Sequence, residues 1–90
     1  MKIITTTSYK RKEKKFFKKR PELKEKYKAV LKILAVDPKD RRLGLHKIYK
    51  SPPVYSISLT GSYRIILDFI ILNDEILLID IGNHDEVYGK

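Results

Sequence analysis

Ninety residues with 42% apolar side chains are enough for one hydrophobic core and exclude a second of ordinary size. The absence of cysteine excludes disulfides, thiolate metal sites and cysteine nucleophiles, and fits a reducing compartment. A formal net charge of +9 favours polyanionic partners, chiefly nucleic acid, ribosome or an acidic protein. The start of the chain, Met1 to Thr7, lacks the apolar core of a signal peptide, and no segment approaches the roughly eighteen apolar residues of a membrane span. The expectation is a cytoplasmic protein without a membrane partner, folded as a single α+β domain over residues 1–90.

The β-branched run from Lys2 to Thr7 predicts a first strand, and Ser8 is placed to cap a helix after it. In that helix Tyr9, Phe16 and Phe17 form an apolar stripe among lysines, with Glu13 and Arg20 on the same helical spacing. Pro21 interrupts it and is suited to open a second helix. From Glu22 to Val36, Leu23, Tyr27, Val30, Leu31 and Leu34 repeat at helical spacing, with Ala29 and Ile33 widening the stripe. The two helices are expected to form an antiparallel hairpin. Between Lys10 and Lys28 there are eleven Lys or Arg against three Glu, whereas from Tyr63 onward two basic residues face six acidic ones, so the basic surface is helical and N-terminal.

Asp37-Pro38 closes the second helix, because a residue before proline is pushed away from helical dihedrals. Lys39 to Pro53 has no clean period and reads as an ordered loop with a short strand near His46. Three strands follow, Val54 to Leu59, Tyr63 to Leu72 and Ile76 to Gly82, joined as two hairpins through Thr60-Gly61-Ser62 and Asn73-Asp74-Glu75. Strict alternation puts Tyr55, Ile57, Leu59, Tyr63, Ile65, Leu67, Phe69, Ile71, Leu77, Ile79 and Ile81 on one dry face, the floor for the helices. Ser56, Ser58, Arg64, Asp68, Asp80 and His84 share the other face with Ile66, Ile70, Ile76 and Leu78.

Three-residue loops set Leu59 opposite Tyr63 and Leu72 opposite Ile76. That register puts Arg64 between Ser58 and His84, and Asp68 opposite Asp80, a like-charge pair that needs solvent or a lysine. Arg64 offers a planar fork to phosphoryl oxygens and His84 a proton carrier near neutral pH, so the polar face reads as a phosphate-handling site. Two histidines far apart, without cysteine, do not make a metal-ligand spacing, and no cofactor or metal is expected. A triad of Ser58, His84 and Asp80 lacks the Gly-x-Ser-x-Gly elbow.

The stretch from Tyr55 to Ile66, with Gly61-Ser62-Tyr63-Arg64 at the turn, resembles the strand pair of the RelE/ParE toxin superfamily. Ile79-Asp80-Ile81-Gly82-Asn83-His84-Asp85-Glu86-Val87-Tyr88 is similar to that family's ending, where a strand and a glycine lead to a basic residue or histidine and then an aromatic. The order of strand, two helices, loop and antiparallel meander agrees over nearly the whole chain. The resemblance, to the RelE/YafQ-like mRNA interferase branch, implies a RelE-like fold, a two-helix hairpin on an antiparallel meander. It implies the toxin of a type II toxin–antitoxin pair, an endoribonuclease that cleaves messenger RNA in the ribosomal A site without a metal.

On that resemblance Arg64 matches the strand arginine that takes the phosphate, and His84 the C-terminal proton-transfer histidine. Tyr88 matches the terminal aromatic and His46 a loop histidine of the YafQ-like branch. Lys10, Arg11, Lys14, Lys15 and Lys18, with Lys47 and Lys50, form the expected RNA-binding set. The expected partners are a cognate antitoxin, the ribosome and mRNA, the chain being monomeric when free and hetero-oligomeric with its antitoxin. The sequence departs from the family at Ser56 and Ser58, where RelE-like enzymes carry lysines and YafQ-like ones a histidine and an aspartate nearby. The general base is left open between His46 and His84 with Asp85 or Glu86. A ParE-like gyrase inhibitor without nuclease chemistry, or a degenerate member that only binds an antitoxin, shares the same framework.

Overall fold

The computed structural model describes residues 1–88. Strand β1 (Lys2–Ile4) leads to helix α1 (Thr7–Lys19), a 3-10 turn at Pro21–Leu23 and helix α2 (Lys24–Val36). A second 3-10 turn at Arg41–Leu43 precedes strands β2 (His46–Lys50), β3 (Pro53–Ser58), β4 (Tyr63–Ile70) and β5 (Glu75–Asn83), and helix α3 (His84–Tyr88) ends the described chain. The five strands form one sheet in the order β1-β5-β4-β3-β2. The fold is the expected α+β arrangement, with β1 added in parallel to β5 beside the antiparallel meander. No helix is long and apolar enough to cross a membrane among the described residues.

The first strand is shorter than its β-branched run because Thr6 is taken as the cap of α1. Its hydroxyl accepts from the Tyr9 amide at 3.0 Å, the role expected of Ser8. The apolar stripes of both helices hold: Tyr9, Phe16 and Phe17 of α1 and Tyr27, Val30 and Leu34 of α2 are buried on one face of the sheet with Ile57, Leu59, Ile65 and Leu67. Glu13 and Arg20, the polar members of the α1 stripe, both have tasks. Glu13 accepts from the Tyr27 hydroxyl, and the Arg20 guanidinium stacks on Phe16 and Tyr63 at 4.5 and 4.8 Å.

The β3–β4 hairpin has the expected register, Ser58 opposite Arg64. The β4–β5 hairpin does not. A 3-10 turn at Ile71–Asn73, capped at Asp74, lengthens the connection from three residues to four, so Ile70 pairs with Glu75 in place of a Leu72–Ile76 pairing. Further along, Ile66 pairs with Asp80 but Leu67 with Leu78, which leaves Ile79 as the extra residue of a β-bulge. The bulge reverses parity within β5. Ile76 and Leu78, expected on the polar face, are fully buried in the core, while Leu77 and Ile79 are only half-buried; beyond the bulge Ile81 is buried as expected.

Two pairings are corrected as a result. Arg64 stands opposite Gly82 rather than His84, and Asp68 opposite Leu77 rather than Asp80. The like-charge pair does not form. Asp80 instead meets Lys12 of α1 at 3.7 Å, which supplies the cation that alternation alone left unidentified.

Candidate active site

The face of the sheet away from α1 and α2 is built around Ser56, which is fully buried. Its Oγ accepts from Arg64 Nε at 2.8 Å and from the Tyr88 hydroxyl at 2.8 Å. A hydroxyl has two acceptor lone pairs, so both are occupied. Arg64 reaches Ser56 across the diagonal of the β3–β4 pair, while His46 of β2 lies directly opposite Ser56. Strand pairing alone therefore gathers His46, Ser56 and Arg64 on one face.

His46 is set by the loop before it. Gly44 ends the 3-10 turn with φ +58, a left-handed conformation that disfavours a side chain, and so turns its carbonyl back over the strand. The Gly44 oxygen lies 3.2 Å from His46 Nδ1 and 3.4 Å from Arg64 Nη2, and Nη2 is 3.3 Å from Nδ1. Among the described residues Arg64 Nη1 has no such partner.

The C-terminal side is set by a reciprocal cap. The Asn83 amide donates to Glu86 Oε1 at 2.8 Å and the Glu86 amide to Asn83 Oδ1 at 2.8 Å. Gly82 permits this return, since a Cβ there would lie 2.7 Å from Glu86 Oε1 and 2.9 Å from Glu86 Cβ. Arg20 of α1 approaches the same carboxylate at 3.9 Å. Within α3, His84 and Tyr88 sit one turn apart with their rings edge to face at 4.3 Å, and the exposed His84 Nδ1 is 4.0 Å from Asp85.

His46, Ile48, Tyr49, Arg64, His84 and Tyr88 together line an open depression of about 410 Å³. All four expected catalytic residues are at this one place, although His84 arrives through α3 and not by pairing with Arg64. Among the described residues no carboxylate lines the depression, and its charged lining group is the Arg64 guanidinium, which suits an anion. The Tyr88 hydroxyl is engaged with Ser56, which leaves its ring as the part available beside His84. Ser58 is turned away from nucleophilic use, its hydroxyl donating to the Thr60 carbonyl at 2.9 Å.

The expected RNA-binding set is divided. Lys10, Arg11, Lys14, Lys15 and Lys18 are exposed on α1, which packs on the opposite face of the sheet from Arg64. Lys47 is exposed but pairs with Tyr55, and its ammonium lies 5.9 Å from the centre of that ring, on the helix side. Lys50 is exposed near the end of β2. Ser56, Gly44, Tyr49 and the Asn83–Glu86 cap were not anticipated as parts of the site. Of these, Asn83-His84-Asp85-Glu86 carried a readable signal, an N-cap residue followed three positions later by glutamate.

No family model matches this chain, and no curated protein matches it. Among solved structures it is similar to a copper-bound mutant toxin from Helicobacter pylori, with a TM-score of 0.77 over 97% of this chain and 98% of that one, at 18% sequence identity. At that identity the likeness is one of fold.

Proposed function

We propose that this chain is the toxin of a type II toxin–antitoxin pair, an endoribonuclease that cleaves messenger RNA in the ribosomal A site. The observation that carries this reading is the depression in which Arg64, anchored through Ser56, stands with His46, His84 and Tyr88. The fold shared with a toxin supports it. In the reaction a ribose 2′-hydroxyl attacks the adjacent phosphate. One proton must be removed, charge on the phosphorane stabilised and the departing 5′-oxygen protonated. Arg64 serves the phosphate, His46 and His84 the two proton transfers, and the Tyr88 ring packs His84 and offers a stacking edge. Side chains suffice for each step.

The α1 cations Lys10, Arg11, Lys14, Lys15 and Lys18 would hold ribosomal RNA through phosphates, making binding strongly dependent on salt. The same basic surface suits the acidic segment of a cognate antitoxin, with the toxin monomeric until it meets that partner.

Induction followed by mapping of message ends tests the reading. Cleavage within translated codons is expected, reduced roughly 10²- to 10⁴-fold by His46→Gln or His84→Gln, as for loss of a general acid or base, and by Arg64→Ala as well. Intact messages, with growth unaffected by these substitutions, would overturn it. Inhibited gyrase supercoiling without RNA cleavage would replace it by a ParE-like mode of action.

A further inference from the structure

Arg64 Nη2, His46 Nδ1 and the Gly44 carbonyl oxygen form a triangle with sides of 3.2, 3.3 and 3.4 Å. A neutral imidazole carries one proton, so Nδ1 can meet only one of its two neighbours with a hydrogen bond. Facing Arg64, whose nitrogens only donate, Nδ1 must present a lone pair, and the proton then sits on Nε2. Facing Gly44, whose oxygen only accepts, Nδ1 must carry the proton, and the lone pair moves to Nε2. The guanidinium favours the first state because a cation attracts a lone pair and repels an N–H dipole.

We propose that Arg64 sets the tautomer of His46, so that an anion held by Arg64 turns His46 into a base. When a phosphate group draws Nη2 out of the triangle, Nδ1–H closes on the Gly44 carbonyl and the Nε2 lone pair becomes available. The change is balanced: one proton leaves Nε2 to water and one arrives at Nδ1 from water. The Gly44 carbonyl is the fixed element, held by the left-handed residue that ends the 3-10 turn. Ser56 anchors Arg64 at Nε, so a small tilt of the planar guanidinium about the Cδ–Nε bond is enough to carry Nη2 away from Nδ1. The inference rests on the anion-binding role of Arg64 proposed above. It adds that His46 is not a standing base but one made competent by the group it acts beside, which protects the free protein from idle proton exchange at the site.

The test is nitrogen NMR of the whole chain carrying 15N-labelled histidine and arginine, at a pH high enough for both imidazoles to be neutral, as the same spectra report. The tautomer of His46 is read from which ring nitrogen bears the proton. The expected result is Nε2–H in the free protein, Nδ1–H at saturating inorganic phosphate, and Nδ1–H without phosphate in Arg64→Ala. Arg64→Met, which keeps an unbranched side chain but has no charge and no N–H donor, serves in place of the alanine variant, with the same expected Nδ1–H, if the latter does not fold. One tautomer common to all these samples overturns the proposal. A phosphate-dependent shift of the Arg64 Nε signal with His46 unmoved also overturns it, while leaving Arg64 as an anion site. A tautomer change in the Arg64 variant with no response to phosphate keeps the Arg64–His46 coupling and removes the anion reading.

Discussion

Both acceptor lone pairs of Ser56 are occupied, and two side chains of the site are held by it. Its two lone pairs hold Arg64 Nε and the Tyr88 hydroxyl, and its strand partner is His46. Ser56→Ala leaves a donor of each unmet in a partly buried place. It is expected to cost about 1–2 kcal/mol, the range for hydrogen bonds that include one to a charged group, measured by urea unfolding. The same variant should free Tyr88 and loosen α3, seen as faster amide exchange at Glu86 and Val87; unchanged exchange there would show that α3 is held by its cap alone. Arg64 was legible from the sequence because the β3–β4 alternation fixes its face, and His84 through the resemblance of the chain's ending, not through the register, which pairs Arg64 with Gly82. Ser56 was not, because the importance of a serine lies entirely in what the neighbouring strands bring to it, and the β2 register that brings His46 was hidden in an aperiodic loop.

Among the elements, β5 departs most from simple alternation, and its departure has a measurable consequence. Strict period-two reading puts Leu77 and Ile79 in the core and Ile76 and Leu78 outside it. The bulge at Ile79 makes the opposite true, with Ile76 and Leu78 essentially without exposure. Ile76→Ala and Leu78→Ala are therefore expected to cost about 2–5 kcal/mol each, the range for truncating a core aliphatic, and Leu77→Ala and Ile79→Ala less than half as much. The reverse ranking in chemical denaturation would remove the bulge. A bulge leaves no mark in a run such as Ile76-Leu77-Leu78-Ile79, where every residue is apolar and either parity satisfies the core. The β3–β4 register was legible for the contrary reason, since serines and an arginine alternate there with buried isoleucines. The shifted turn pairs Asp68 with Leu77 and the bulge leaves Asp80 opposite Ile66 and near Lys12, so the two together remove a charge conflict that the expected register would have created.

Across the whole molecule, the two helices are locked to each other by a chain of polar groups within the apolar setting that packs them on the sheet. The buried Tyr9 and Tyr27 hydroxyls are 2.7 Å apart, and Tyr27 donates onward to Glu13. Burial is the main cause that pushes both phenols well above their ordinary value of 10.0, reinforced for Tyr27 by its tyrosine and glutamate neighbours. In the unfolded chain both would ionise near pH 10, so above that pH the native state holds protons that the unfolded state has lost. The unfolding free energy then falls as pH rises. The stabilisation is fully present below about pH 10 and is lost progressively above it, with a limiting slope of about 1.4 kcal/mol per pH unit for each tyrosine. Lysines also discharge in this range, relieving repulsion in a chain of net charge +9, so the raw pH profile mixes two opposing trends. Tyr27→Phe separates them. The variant is expected to be less stable than the parent at neutral pH, because Glu13 and Tyr9 lose a partner, but to lose stability less steeply between about pH 10 and 11. Urea unfolding of both proteins at matched pH values gives the two slopes. Parallel slopes, or tyrosinate absorbance from all six tyrosines before the protein unfolds, would show that the pair is not protected by burial and that α1 and α2 are held together by their apolar stripes alone.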